Sequence, residues 1–359
     1  VILPRDAVRA TPFAAHGGRL AASDGGETTV AHDFSVCLNA FGPAPMVAQA
    51  VRDASIDEYP DPRARAARAA AAAHWRLRDD EVLFAAGSAE LIHAACFTYL
   101  DSGDVVLIAE PAFGEYRRAA SLCGAKIHGV PTLEATRSLH ELTRRVGALH
   151  PRLVFVASPV SPIGVSLPVD ELSALADACA RIDALLVLDQ AYDAFIPSPR
   201  GTPALRGHSH VLHLRSLTKD HALAGVRAAF GVGDPGVIAD IERVRLPWAA
   251  SSAAHAAAIA AMTDAAEQHV LATTSVLRAE AERIAEAAVA LGLSPYPSDT
   301  HYLTIDCHDG RAMRDRLLAE HGILVRDCTS FGLPRCFRVA ARLPAHNELL
   351  ITALTHAAQ

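Results

Sequence analysis

The chain has 359 residues and a formal net charge of −7, with 51% hydrophobic residues. The charge is spread without long like-signed runs, which argues against nucleic acid or an anionic membrane surface as the main partner. No apolar run reaches the roughly 18 to 20 residues of a membrane span, and no basic-then-apolar leader opens the chain, so the sequence is expected to act in the cytoplasm. Seven scattered cysteines with no CxxC pair fit packed thiols in a reducing compartment better than a metal site or a disulfide framework.

In chain order, the first sixty residues are rich in Gly and Pro and are expected to form an N-terminal arm with the start of a small domain (1–60). "RARAARAAAAAHW" is an alanine-rich helix. Six short runs follow, "EVLFAAG", "DVVLIAE", "RLVFVAS", "ALLVLDQ", "VLHLRSL" and "AAFGVG", each of strand length and most of them apolar on both faces. Strands alternating with helical patterns predict an α/β fold with a mainly parallel sheet sandwiched by helices, over residues 61–263. "SSAAHAAAIAAM" and a long helical stretch from Asp264 to Leu293 then lead to a smaller α+β domain (264–359) holding "HYLTIDC", "GILVRDC" and "CFRVAAR". Two terminal portions would together build that small domain.

Polar residues cluster where the apolar runs end, which is where such sheets bind ligands. Gly87, Ser88 and Ala89 lead from a strand into a helix, whose first N–H groups and dipole suit a phosphate. Taken alone, they equally fit an ordinary strand-turn-helix. Asp189 ends a very apolar strand with Tyr192 three residues on. A carboxylate there needs a cation, a protonated pyridine nitrogen for instance, although an arginine or a helix N-terminus would serve. Of the 33 Lys and Arg residues only two, Lys126 and Lys219, are lysine. A lysine can act as a free amine toward a carbonyl where arginine cannot, so Lys219 is either a nucleophile or a surface lysine left by composition. Its neighbours favour chemistry: Ser216 precedes it by three residues, and Gly225 and Arg227 follow by six and eight.

The motifs "AAGSAE", "LDQAY", "SLTKDHALAGVR" and "FRVAAR", in this order, resemble the fold-type I pyridoxal-phosphate enzymes of aminotransferase class I/II over nearly the whole chain. Within that group, "AAHGGRL", "DFSVCLNAFGPAP", "YPDP" and "ILVRDCTSFGL" are most similar to L-threonine-O-3-phosphate decarboxylases and their relatives, the histidinol-phosphate aminotransferases. The resemblance implies that Lys219 holds pyridoxal 5'-phosphate as a Schiff base and moves protons, and that Asp189 pairs with the ring nitrogen. It further implies that Tyr192 bonds the ring oxygen, Phe113 stacks on the ring, and Gly87, Ser88, Ala89, Ser216 and Arg227 cradle the phosphate. Arg338 is the implied carboxylate clamp, and Asn39 the implied substrate-side residue. The resemblance also implies a homodimer, in which Tyr59 reaches the cofactor of the neighbouring subunit, and no metal.

Three departures stand out. Ser161, in "SPVSPIG", replaces the asparagine of an NPxNPTG-like loop, so its contact with the ring oxygen is expected to be longer or water-mediated. Arg19 replaces a polar amide, and "LNAFGPAP" replaces NINPLG. His16 fits either a substrate-phosphate ligand or an exposed histidine on the arm. Arg326 and Arg342 are candidates for other anionic groups, while Cys328 is expected to be a packed small residue. The expected reaction is transamination of an α-amino acid. Decarboxylation, elimination or replacement at Cβ or Cγ, and a non-catalytic binder are the alternatives.

Overall fold

The computed structural model describes residues 2–18, 30–132, 139–197, 205 and 207–357. Arg19 lies outside the described residues. The chain forms β1 (His32–Asp33), β2 (Val82–Ala85), β3 (Val105–Glu110), β4 (Lys126–Pro131), β5 (Leu153–Ala157), β6 (Leu185–Asp189), β7 (Val211–Ser216) and β8 (Ala229–Val232). β2 to β8 make a seven-stranded sheet ordered β2-β8-β7-β6-β5-β3-β4. β8 runs antiparallel to β2 and β7, and the remaining pairings are parallel.

Apolar side chains leave both faces of this sheet. Val154, Val156, Leu186 and Leu188 pack with Leu172 and Leu175 of the helix Val169–Ala180. Leu153, Phe155, Leu185 and Val187 pack on the other face with Leu91 and Ile92 of the helix Ser88–Tyr99. Each such buried side chain contributes roughly 1.5–3 kcal/mol, which is why these strands read as unbroken apolar runs. β4 is the strand that the apolar runs did not reveal. It lies at the sheet edge, half-buried, and its Gly129 leaves room for the carboxylate of Glu110, which an added Cβ would strike.

A second body follows the helix Asp264–Ala290, which Thr263 caps by accepting from the Ala266 N–H at 3.4 Å. Here β9 (Ser294–Pro295), β10 (Tyr302–Asp306), β12 (Arg326–Asp327) and β13 (Cys336–Ala340) form an antiparallel sheet ordered β12-β13-β10-β9. β1 pairs in parallel with β11 (Ile323–Leu324), so a strand from the N-terminal portion joins this C-terminal body. Its core unites Phe34 with Ile284, Ile305, Val339 and Leu354. The long helix stops at Ala290, three residues short of the sequence expectation, just before Gly292 takes a positive φ of 78°.

Candidate active site

β5, β6 and β7 all point their carboxyl ends at one cavity, and the residues just beyond each strand line it. At one end stand Ser88, Ala89, Ser216 and Arg227. Gly87 holds φ 95° and ψ 158° immediately before the helix Ser88–Tyr99, a conformation open essentially to glycine. A Cβ on Gly87 would also come within 2.5 Å of Arg227 Nη2, so the bare backbone is what admits the guanidinium. Arg227 itself takes a left-handed φ of 64°. The Ser88 hydroxyl is buried without a hydrogen-bond partner at this helix N-terminus. An orphan hydroxyl, free N–H groups and an arginine are the donor set that a phosphate satisfies.

At the other end Asp189 is 8% exposed. Its Oδ2 accepts from the Tyr116 hydroxyl at 2.7 Å, and its Oδ1 from the Ala191 N–H at 2.9 Å. Burial pushes its pKa above the ordinary carboxylate value, against the pull of the Tyr116 bond, the Ala191 bond and the charge of Lys219. A cationic ring nitrogen beside it would supply the missing counter-charge. Phe113 and Tyr192 form walls between the two ends. These residues fit pyridoxal phosphate at both of its polar ends.

Lys219 lies just past β7, with Nζ 5.8 Å from the centroid of the Tyr192 ring. Burial lowers its pKa, and Arg338 and Arg227 push the same way, while Cys37 and Asp189 oppose them. The amine is thus biased toward its neutral, nucleophilic form.

A second cavity, of about 400 Å³, opens from the first and shares Phe113, Ser161, Tyr192 and Lys219 with it. Arg338 on β13 is 7% exposed and crosses its floor. Its Nη1 donates to Ser161 Oγ at 3.0 Å and its Nη2 to the Ser35 carbonyl at 2.9 Å, while its Nε is buried without a partner. The serine that departs from the family loop therefore serves as the acceptor that aims Arg338. Arg326 is the second guanidinium near the Phe331 ring, its carbon 5.4 Å from the ring centroid and that of Arg338 5.9 Å. Arg326 donates to the Ala15 carbonyl at 3.1 Å and to Ser330 Oγ at 2.8 Å, tying the N-terminal arm to the cavity mouth. His16 lines the same mouth, with Nε2 3.1 Å from Glu115 Oε1. Glu115 is buried, and it also contacts His93 at 2.9 Å and Arg118 at 3.3 Å. Burial works to raise its pKa, but the hydrogen bond with His93 and the charge and hydrogen bond of Arg118 outweigh it and hold the carboxyl below its ordinary value.

Other expected residues sit elsewhere. Asn39 lines neither cavity; its amide donates to the Asp220 carbonyl at 2.9 Å and to Thr273 Oγ1 at 2.8 Å, and accepts from the Phe41 N–H at 3.1 Å. With its own N–H bonded to the Lys219 carbonyl at 2.8 Å, Asn39 braces the backbone of the lysine. The expectation of substrate contact thus meets an amide already spent on structure. Tyr59 is 82% exposed and rests on Trp248 at 4.9 Å, away from both cavities of its own chain. Arg342 also lines neither cavity; its backbone is tied to the Asn347 amide. Cys328 is fully buried, and burial pushes its thiol up to about 12, as expected of a packed residue. Sequence reasoning missed Tyr116 and Cys37. The one available signal for Tyr116 was its three-residue spacing from Phe113, the residue that precedes the helix Gly114–Leu122, which lets the two rings meet edge to face at 5.8 Å.

Comparison with known proteins agrees with this geometry. A family model described as aminotransferase class I and II matches residues 33–355. A histidinol-phosphate aminotransferase of Symbiobacterium thermophilum is 33% identical over 88% of this chain and 87% of its own length. An aromatic amino acid aminotransferase of Thermobifida fusca is 31% identical over 87% of this chain and 86% of its own length. Among solved structures, histidinol-phosphate aminotransferase from Sinorhizobium meliloti in complex with pyridoxal-5'-phosphate superposes with a TM-score of 0.86. It is 28% identical and covers 92% of this chain and 91% of that one. With a matching model over most of its length, the chain belongs to the aminotransferase class I and II family.

Proposed function

We propose that the protein, a pyridoxal-phosphate-dependent aminotransferase, acts on an amino substrate carrying a strongly anionic group, phosphate being the best fit. The observation that carries this reading is the pair of arginines, Arg338 and Arg326, both close to the Phe331 ring and both lining the cavity that includes Lys219. Two guanidinium groups lining one cavity exceed what a lone carboxylate needs. The phosphate-bearing substrate in the names of the histidinol-phosphate aminotransferase relatives supports the choice of anion.

Pyridoxal phosphate, when bound, supplies the carbonyl that takes up the amino group and the electron sink that loosens bonds at the substrate α-carbon. The chain's own residues do the rest. Ser88, Ser216 and Arg227 hold a phosphate at the head of the helix Ser88–Tyr99, and Asp189, steadied by Tyr116, holds positive charge at the far end. Lys219 Nζ, biased to the neutral amine, carries the proton that leaves the substrate α-carbon. Arg338, aimed by Ser161 and Ser35, keeps the substrate's acidic group bound. Phe113 and Phe331 exclude water from the walls.

A homodimer belongs to the same proposal, supported by the exposed Tyr59–Trp248 pair, which has no cavity of its own to serve. A cytoplasmic setting is supported by seven free cysteines; among the described residues no helix is long and apolar enough to cross a membrane.

The test is a single turnover of excess holoenzyme with a panel including histidinol phosphate and O-phosphothreonine, with no keto acid added and products followed by mass spectrometry. The expected result is pyridoxamine phosphate with the matching carbonyl product. Carbon dioxide and an amine, with pyridoxal phosphate regenerated, would overturn transamination in favour of decarboxylation.

A further inference from the structure

A third cavity, of about 370 Å³, shares no residue with the two at Lys219. It lies in the crevice between the two bodies. Ser166 and Ile196 come from the body of the large sheet, the helix Asp264–Ala290 supplies Arg278 and Glu282, and the stretch between β9 and β10 supplies Asp299.

Its charges are unusually placed. Arg278 is half-buried, and its Nη1 donates to the Phe195 carbonyl at 3.2 Å. Among the described residues it has no carboxylate within 4.0 Å. Burial lowers its pKa, and Glu282 pulls the other way from beyond contact distance. A guanidinium carries five N–H donors, and one carbonyl satisfies few of them. Asp299, which lines the crevice, spends Oδ2 on the Ser166 N–H at 2.8 Å, and among the described residues no hydrogen bond engages its Oδ1. On the same wall the Ser166 hydroxyl is buried without a partner. Ala281, Ala285, Pro295 and Leu303 supply an apolar surface between these charges.

A simple anion would meet Arg278 but also two carboxylates, and an apolar molecule would leave all three charges unanswered. A molecule with both charges and an apolar body answers each. We propose that this crevice is a second ligand site, for a zwitterionic α-amino acid. Its carboxylate pairs with Arg278, its ammonium with Glu282 and Asp299, and its side chain rests on Ala281, Ala285 and Leu303. The volume suits one such molecule.

The test uses N-methyl-L-leucine, a zwitterion whose secondary amine does not undergo amino transfer, titrated calorimetrically into holoenzyme. Arg278→Gln removes the carboxylate partner, and Ala285→Leu fills the crevice with a residue that suits a helix. The expected result is saturable binding to the wild type, weakened about tenfold or more by Arg278→Gln and lost in Ala285→Leu, with kcat in the absence of the probe unchanged in both. Two half-ligands, 4-methylpentanoate and isopentylamine, are expected to bind the wild type about tenfold or more weakly. Equal affinity in all three proteins, or no saturable binding by the wild type up to about 50 mM, overturns the proposal. Should Ala285→Leu lower the melting temperature, Arg278→Gln carries the test, since it fills no space.

Discussion

Tyr116→Phe tests the electrostatics of the cofactor cavity without touching its shape. The tyrosine is fully buried, stacked on Phe155 at 5.0 Å with the rings 9° apart, and its hydroxyl donates to Asp189 Oδ2 at 2.7 Å. Phenylalanine keeps the stack and removes the bond, leaving Asp189 with the Ala191 N–H as its hydrogen-bond donor. A hydrogen bond to a charged group is worth about 1.5–3 kcal/mol. For 359 residues an unfolding entropy near 2.1 cal/mol/K per residue makes that a fall of about 2–4 °C in the melting temperature of the apoprotein at neutral pH. The sign of the pH dependence follows from the raised pKa of Asp189. The folded state binds this proton more tightly than the unfolded state, so burying the ionised group costs stability above the folded pKa, and that cost is relieved as pH falls toward the unfolded value. The variant raises the folded pKa further. Its deficit against the wild type is therefore largest at neutral pH and shrinks on acidification, once Asp189 is protonated in both proteins. Differential scanning calorimetry of the two apoproteins at matched pH values measures this directly. A deficit that stays constant with pH would mean that Tyr116 acts by packing alone, and the charge argument would fail. In the reconstituted enzyme the pH midpoint of the cofactor's visible absorption should also move, a readout that a purely structural role would leave alone.

Lys219→Ala should remove the visible absorption band of the bound cofactor and lower kcat by about 10²–10⁴-fold, the usual range for a positioned proton carrier; an unchanged band excludes this lysine. Gly87→Ala forces a Cβ into a glycine-only conformation and against Arg227 Nη2, so a cost of about 1–3 kcal/mol should appear as weaker cofactor binding in a fluorescence titration of apoprotein, and unaltered affinity would contradict the cradle. Ser161→Ala leaves Arg338 Nη1 without its acceptor; KM should rise about tenfold with kcat changed less, whereas a loss confined to kcat would place Ser161 at the reacting atoms instead.

Much of this arrangement was legible before any coordinates. Six buried strands announced themselves because both faces of the sheet are covered, and a strand covered on both sides has no polar period to hide it. β4 escaped because an edge strand is covered less, and because its Gly129 answers to a neighbour's carboxylate, a tertiary demand with no local sign. Lys219, Asp189 and Arg227 stood out through spacing along the chain. Tyr116 did not, because its bond to Asp189 spans 73 residues and joins the helix that follows β3 to the end of β6, which only the sheet order brings together. Asn39 misled in the opposite direction: its place in the N-terminal segment suggested the substrate, whereas three of its hydrogen-bonding groups are taken by backbone and Thr273.

Burial acts on the two central ionisable groups in opposite senses and to one end. It lowers the pKa of Lys219 and raises that of Asp189, so it drives both toward their neutral forms. For the lysine this is useful, since only the neutral amine can attack a carbonyl or accept a proton, and it explains why a chain that uses arginine almost everywhere else keeps a lysine here. For the aspartate it is a cost, one that Tyr116 offsets in part and that a cationic ring nitrogen removes. The same burial therefore prepares the lysine before the cofactor arrives and leaves the aspartate waiting for it. On the proposed assignment, the cost of burying Asp189, which one tyrosine and one N–H offset in part, is affinity held in reserve for a charged ligand.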